Sequence, residues 1–134
     1  MIQDLVLEIR VIKKFVTETK QERYIQFIST PKNRKKFIRE LAHFNDLNFS
    51  LLQHNSGINV RSILKTLSKN RIQSKTCYII SENVELDTKR LDISQAIEGT
   101  LGYDMGTILV FGDADIIIYQ GEEVMSRYIS ISSK

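Results

Sequence analysis

Three groups of side chains in this sequence have types and spacings that could do chemistry. The first is basic. The run TPKNRKKFIRELAHF, residues 30–44, holds Lys32, Arg34, Lys35, Lys36, Arg39 and His43, with Glu40 as its single acid. Cations crowded in this way attract anions, either the regularly spaced phosphates of a nucleic acid or an acidic protein surface. The second group is acidic. SENVELD places Glu82, Glu85 and Asp87 after a strand-like run. Three such carboxylates could hold a divalent metal for a phosphoryl-transfer enzyme or nuclease. The calcium-loop spacing is absent, and a solvated acidic loop is the simpler reading. The third is Cys77, which with His43 or His54 could form a thiol nucleophile pair. Cys77 lies in the apolar run TCYII, where a buried inert thiol is the usual outcome. No GxSxG, P-loop, GxGxxG or HExxH pattern occurs, and Gly102-Tyr103-Asp104-Met105-Gly106 reads as a helix-to-strand turn.

The elements that must position these groups follow from hydrophobic spacing. Ile2, Leu5, Val6, Ile9, Ile12 and Val16 recur at helical steps and predict a helix over residues 2–20. YIQFIS, residues 24–29, is short and rich in β-formers and predicts a strand, with a continued helix as the alternative. Thr30 is a good N-cap and Pro31 suits the first helical position, so a helix begins there and should end near Asn45. Phe37, Ile38, Leu41 and Phe44 share one side of it. Lys32, Lys35, Lys36, Arg39 and His43 share the other.

Residues 48–53 suggest a weak strand. Gly57 to Asn59 suggest a turn and cap before a short helix with Val60, Ile63, Leu64 and Leu67 inward and Arg61, Lys65 and Lys69 outward. Thr76 to Ser81 predict a strand, residues 86–91 a loop, and Asp92 a cap on a helix over 93–101 closed by Gly102. TILVF and DIIIY flank a Gly/Asp turn and predict a β-hairpin with both faces covered; SRYISI predicts one more strand. Asp113 and Asp115 in that turn, with Glu122 and Glu123 beyond it, could form an acidic patch at one end of the sheet. The fold class is therefore α+β: a mostly antiparallel sheet of about three to six strands, ending in a hairpin or meander, packed against amphipathic helices.

The 134 residues suit one domain spanning 1–134, and 42% apolar with 26% charged residues is an ordinary globular balance. With one cysteine there is neither an internal disulfide nor a cysteine-rich metal cage. The N-terminal run has its acid and basic pair in the wrong order for a secretory signal, and no apolar stretch is long enough for a membrane span. A cytoplasmic setting is expected, without a cofactor. Net charge is +3, but its distribution is uneven. Residues 1–75 carry fifteen Lys/Arg against six Asp/Glu, and residues 76–134 carry four against ten. That split implies either mutual attraction inside the fold or two faces with different partners.

The blocks TPKNRKKFIRELAHF, CYIISENVELD and MGTILVF…IIIYQGEE…SRYIS resemble a small family of uncharacterised bacterial proteins, from Arg23 to Ile131. The resemblance implies a single-domain bacterial cytosolic protein and brings no activity with it. In that family the acid matching Asp87 is followed by glycine, where this chain has Thr88, so the loop turn is expected to differ. The functional expectation is a non-enzymatic binding or accessory module whose basic helix faces an anionic partner. That partner is a nucleic acid or an acidic protein. The alternatives are a metal-dependent enzyme built on the acidic loop, and a homodimer joining one copy's basic helix to another's acidic end.

Overall fold

The computed structural model describes residues 3–55, 57–103, 105–123 and 126–130. In chain order its elements are α1 (Leu5–Phe15), α2 (Gln21–Ile28), α3 (Pro31–Glu40), β1 (Leu52–His54), α4 (Val60–Lys69), β2 (Thr76–Ser81), β3 (Arg90–Asp92), α5 (Ile93–Thr100), β4 (Thr107–Phe111), β5 (Ile116–Gln120) and β6 (Arg127–Ser130). The strands form one six-stranded sheet in the order β1-β6-β5-β4-β2-β3, antiparallel at every pairing. The α+β expectation holds, in three layers.

Side chains alternate across a sheet, so one strand can serve two cores. Tyr78, Ile80, Ile108, Val110, Ile117 and Tyr119 face α1, α2 and α3. Cys77, Ile79, Leu109, Phe111, Ile116 and Ile118 face α4 and α5. This is why β2, β4 and β5 are continuously apolar instead of alternating. No helix among the described residues is long and apolar enough to cross a membrane.

Several local expectations change. α1 stops at Phe15 because Val16 leaves helical geometry and bridges Leu47, with Thr17 N–H donating to Asp46 O at 2.8 Å. Residues 21–28 are a helix, where a strand was predicted over 24–29. Tyr24 and Ile28 stand one helical turn apart and are both fully buried. Tyr24 packs edge-on against Phe37 and Phe44 at 5.6 and 5.2 Å. Packing between α1 and α3 thus overrides the β-preference of YIQFI. Residues 49–51 form a tight helical turn ahead of β1, and the loop expected over 86–91 gives way at Arg90 to β3. Predicted strand residue Ile131 lies outside the described residues, as does Ile2 of the first helix.

The end of α3 is seated on the sheet by a close approach. A Cβ at Gly106 would come within 2.4 Å of the Leu41 backbone, so only glycine lets this turn meet the start of β4. Tyr119 fixes the same junction: its hydroxyl donates to Leu41 O at 2.6 Å and accepts from Phe44 N–H at 3.0 Å.

Leu109 is wholly buried at the centre of the sheet. Leu109→Ala should lower unfolding stability by about 2–5 kcal/mol, read from denaturant midpoints, because neighbouring strands cannot close the cavity.

Candidate functional site

α3 begins as its sequence dictates. Thr30 Oγ1 accepts from Asn33 N–H at 3.3 Å, and Pro31 takes the first helical position. Phe37, Leu41 and Phe44 point into the core, and Ile38 is half-buried. Lys32, Lys35, Lys36 and Arg39 are exposed. Among the described residues none of these four forms an ion pair; Lys36 Nζ lies 5.8 Å from the Phe27 ring centroid.

Two residues expected in this anion-binding set behave differently. His43 is exposed but has its own acid, Nε2 standing 3.3 Å from Glu122. Arg34 points inward and is only 8% exposed. It precedes Phe37 by three residues and Leu41 by seven, which is the buried stripe of the helix. That spacing was visible in the sequence, but the surrounding lysines masked it.

Arg34 is the hub of an internal network. Its Nε and Nη2 donate to the two Glu8 oxygens at 3.1 and 2.7 Å. Its Nη1 and Nη2 donate to Asp87, the second at 3.0 Å. Glu8 also accepts from Tyr78 OH and from Gln3 Nε2, both at 2.7 Å. Asp87 Oδ1 accepts from Ser81 N–H at 3.1 Å. Arg90 pairs with Asp4 beside it, and Asp4 N–H donates to Tyr78 OH at 3.0 Å. Burial opposes the Arg34 charge, but the bonds to Asp87 and Glu8 outweigh it and its pKa rises. Burial, then the Glu8 charge, raises the Tyr78 phenol. α1, α3 and the β2–β3 connection are thereby clamped together. Part of the charge split along the chain is internal attraction, since Arg34–Asp87 and Arg10–Asp113 each join the two halves.

The acidic loop does not gather its carboxylates. Asp87 turns in to Arg34, Glu82 Oε1 accepts from Gly106 N–H at 2.6 Å, and Glu85 is exposed, its N–H donating to Asn83 Oδ1 at 3.1 Å. Among the described residues no group of three His, Cys, Asp or Glu is arranged to hold a metal ion. Nor do the thiol partners meet. Cys77 faces α4 and α5, buried, with its pKa pushed up to about 12 by burial. His54 is on β1, four strands away in the sheet, and His43 lies on the opposite face. Two amides of the helix-to-strand turn are also taken, Gly102 N–H by Gln120 Oε1 at 2.8 Å and Gly106 N–H by Glu82; Asp104 lies outside the described residues.

What sequence reading missed is the space beside α3. A groove of about 510 Å³ runs between α3 and the β2–β3 connection. Its walls include Pro31, Ile38 and Val84, and Lys35 and Arg39 overhang it. Thr88 sits at its floor with φ +67°, and its hydroxyl is buried with no hydrogen-bond partner. Thr88 N–H donates to Ile79 O at 2.8 Å while Ile79 N–H donates to Lys89 O at 2.9 Å. Two residues therefore face one, a bulge whose first position is normally glycine in the left-handed region. A β-branched residue there is strained. No local signal in the sequence marked the groove, because its two walls come from segments far apart in the chain.

No protein family, curated protein or solved structure matches the chain.

Two outcomes test this geometry. Arg34→Ala strands two buried carboxylates and should cost about 3–5 kcal/mol in urea unfolding at neutral pH. A cost below about 1 kcal/mol, the range of an exposed ion pair, would contradict the clamp. Thr88→Gly removes the strain and the orphan hydroxyl, each of order 1 kcal/mol, against a glycine entropy cost of about 0.5–1 kcal/mol. A modest rise in melting temperature is expected.

Proposed function

We propose that this chain is a binding module whose α3 outer face docks an acidic protein partner. One observation carries the reading. Of the six cationic positions on this stretch, Arg34 and His43 have carboxylates of their own, while Lys32, Lys35, Lys36 and Arg39 have none among the described residues. Lys32 lies in the first turn of α3, where the macrodipole is positive and a cation costs about 0.3–1 kcal/mol at low salt, whereas Arg39 lies in the last turn. Lys32–Lys36 and Lys35–Arg39 are also like charges at i, i+4. A docked anion relieves both effects together.

The choice of a protein over a nucleic acid follows from the aromatics. Single-strand binders stack bases on open rings. Here Tyr24, Phe37 and Phe44 are buried, and half-buried Phe27 lies beneath Arg23 and Lys36. The clamp below α3 holds the face rigid, so docking needs no ordering of the helix.

The test uses polyglutamate and a single-stranded oligonucleotide as paired probes. Polyglutamate should bind, weaken steeply with added salt, and be lost in a variant carrying Lys32→Glu, Lys35→Glu, Lys36→Glu and Arg39→Glu. Equal binding by that variant would refute the reading; oligonucleotide binding tighter than polyglutamate would move the partner class to nucleic acid.

A further inference from the structure

We propose that the groove between α3 and the β2–β3 connection is a binding site for a small amphipathic anion: an aliphatic or aromatic body bearing one carboxylate or phosphate head. The site shares Lys35 and Arg39 with the docking face but does not depend on a macromolecular partner.

Its size falls in the range of small-molecule sites, at about 510 Å³. Its walls are apolar and incompletely covered. Val84 is 75% exposed, which is unusual for a large aliphatic side chain with a cavity to fold into. A second cavity adjoins the first, since both are lined by Gln3 and Thr88, and it is rimmed by Leu5 and Val6, themselves 36% and 64% exposed. Three of the six large apolar side chains exposed among the described residues therefore border this one continuous depression. Scattered exposed aliphatics need no explanation, but a cluster around a concave surface does.

The charged groups without an ion-pair partner are on one side only. Lys35 and Arg39 hang over the α3 wall with no acid of their own. The charged groups of the floor are already satisfied, Arg34 and Asp87 by each other. A cationic ligand would thus meet like charge at the rim and no free carboxylate below. Thr88 lines both cavities, but its unpartnered hydroxyl is closed off from solvent and offers a ligand no contact. One charged head and an apolar body define the ligand class.

The experiment titrates anilinonaphthalene sulfonate, an anion with an apolar body, and displaces it with dodecanoate. Saturable fluorescence at one site per chain and displacement by dodecanoate are expected. Dodecyltrimethylammonium, with the same chain and opposite charge, should not displace the dye. Lys35→Glu with Arg39→Glu should weaken both anions about tenfold or more, as loss of two charge-assisted contacts implies. Val84→Asp should do the same. Lys65→Glu with Lys69→Glu, exposed on α4 beyond the other face of the sheet, should leave them unchanged. Displacement by the cationic detergent, or indifference to the Lys35/Arg39 pair, would overturn the site. So would binding only to phosphatidylglycerol vesicles with none to free dodecanoate. Polyglutamate measured beside dodecanoate on the unmutated protein separates the two readings. Failure of dodecanoate alone to bind defeats the groove, whereas failure of polyglutamate alone to bind defeats the docking face.

Discussion

Arg34 between Glu8 and Asp87 is the constraint on which the rest of this molecule depends. A guanidinium and two carboxylates are expensive to remove from water singly, and tolerable only when every donor and acceptor is matched. Here Glu8 accepts from Arg34, Tyr78 and Gln3, and Asp87 from Arg34 and the Ser81 amide. The partners come from α1, α3, β2 and the loop after β2. None of these elements can shift without breaking a charged bond that is largely shielded from water. The network therefore sets the height and rotation of α3 on the sheet, and with them the direction of its outer face.

That rotation divides the cations of one helix into two kinds. Side chains at the same helical stripe as Phe37 and Leu41 go inside whatever their charge, and Arg34 goes there because two acids await it. Those a third of a turn away remain in water. The groove arises from the same arrangement. Asp87 is drawn beneath α3, which pulls the loop close enough to form a wall but leaves Val84 standing free.

Much of the fold was legible because the signals were local. The Thr30-Pro31 start of α3, the Asn59 cap on α4, the Asp92 cap on α5 and the β4–β5 hairpin all depend on residues within a few positions of one another. The misreadings share a different cause. Residues 24–28 are β-formers that become a helix because Phe37 and Phe44, distant in sequence, provide a pocket for Tyr24. Arg34 was read with the lysines because its partners lie 26 and 53 positions away. The outward cations of α3 were legible from helical spacing; the groove they overhang was not, since its opposite wall comes from beyond β2.

The doubly covered strands carry one further consequence. A sheet with one wet face corrects a misaligned strand by exposing its apolar residues, but β2, β4 and β5 are apolar on both sides and lack that safeguard. The phenol oxygens supply it instead. Tyr78 and Tyr119 both reach polar partners in the α1–α3 layer, at Glu8 and at the Leu41 carbonyl. An offset of one residue would drive either ring into the opposite layer, which is built of aliphatic side chains, Cys77 and Phe111. Correct alignment of the central strands is thus written in two hydroxyl groups, and a tyrosine there proofreads the pairing that greasiness alone would leave ambiguous.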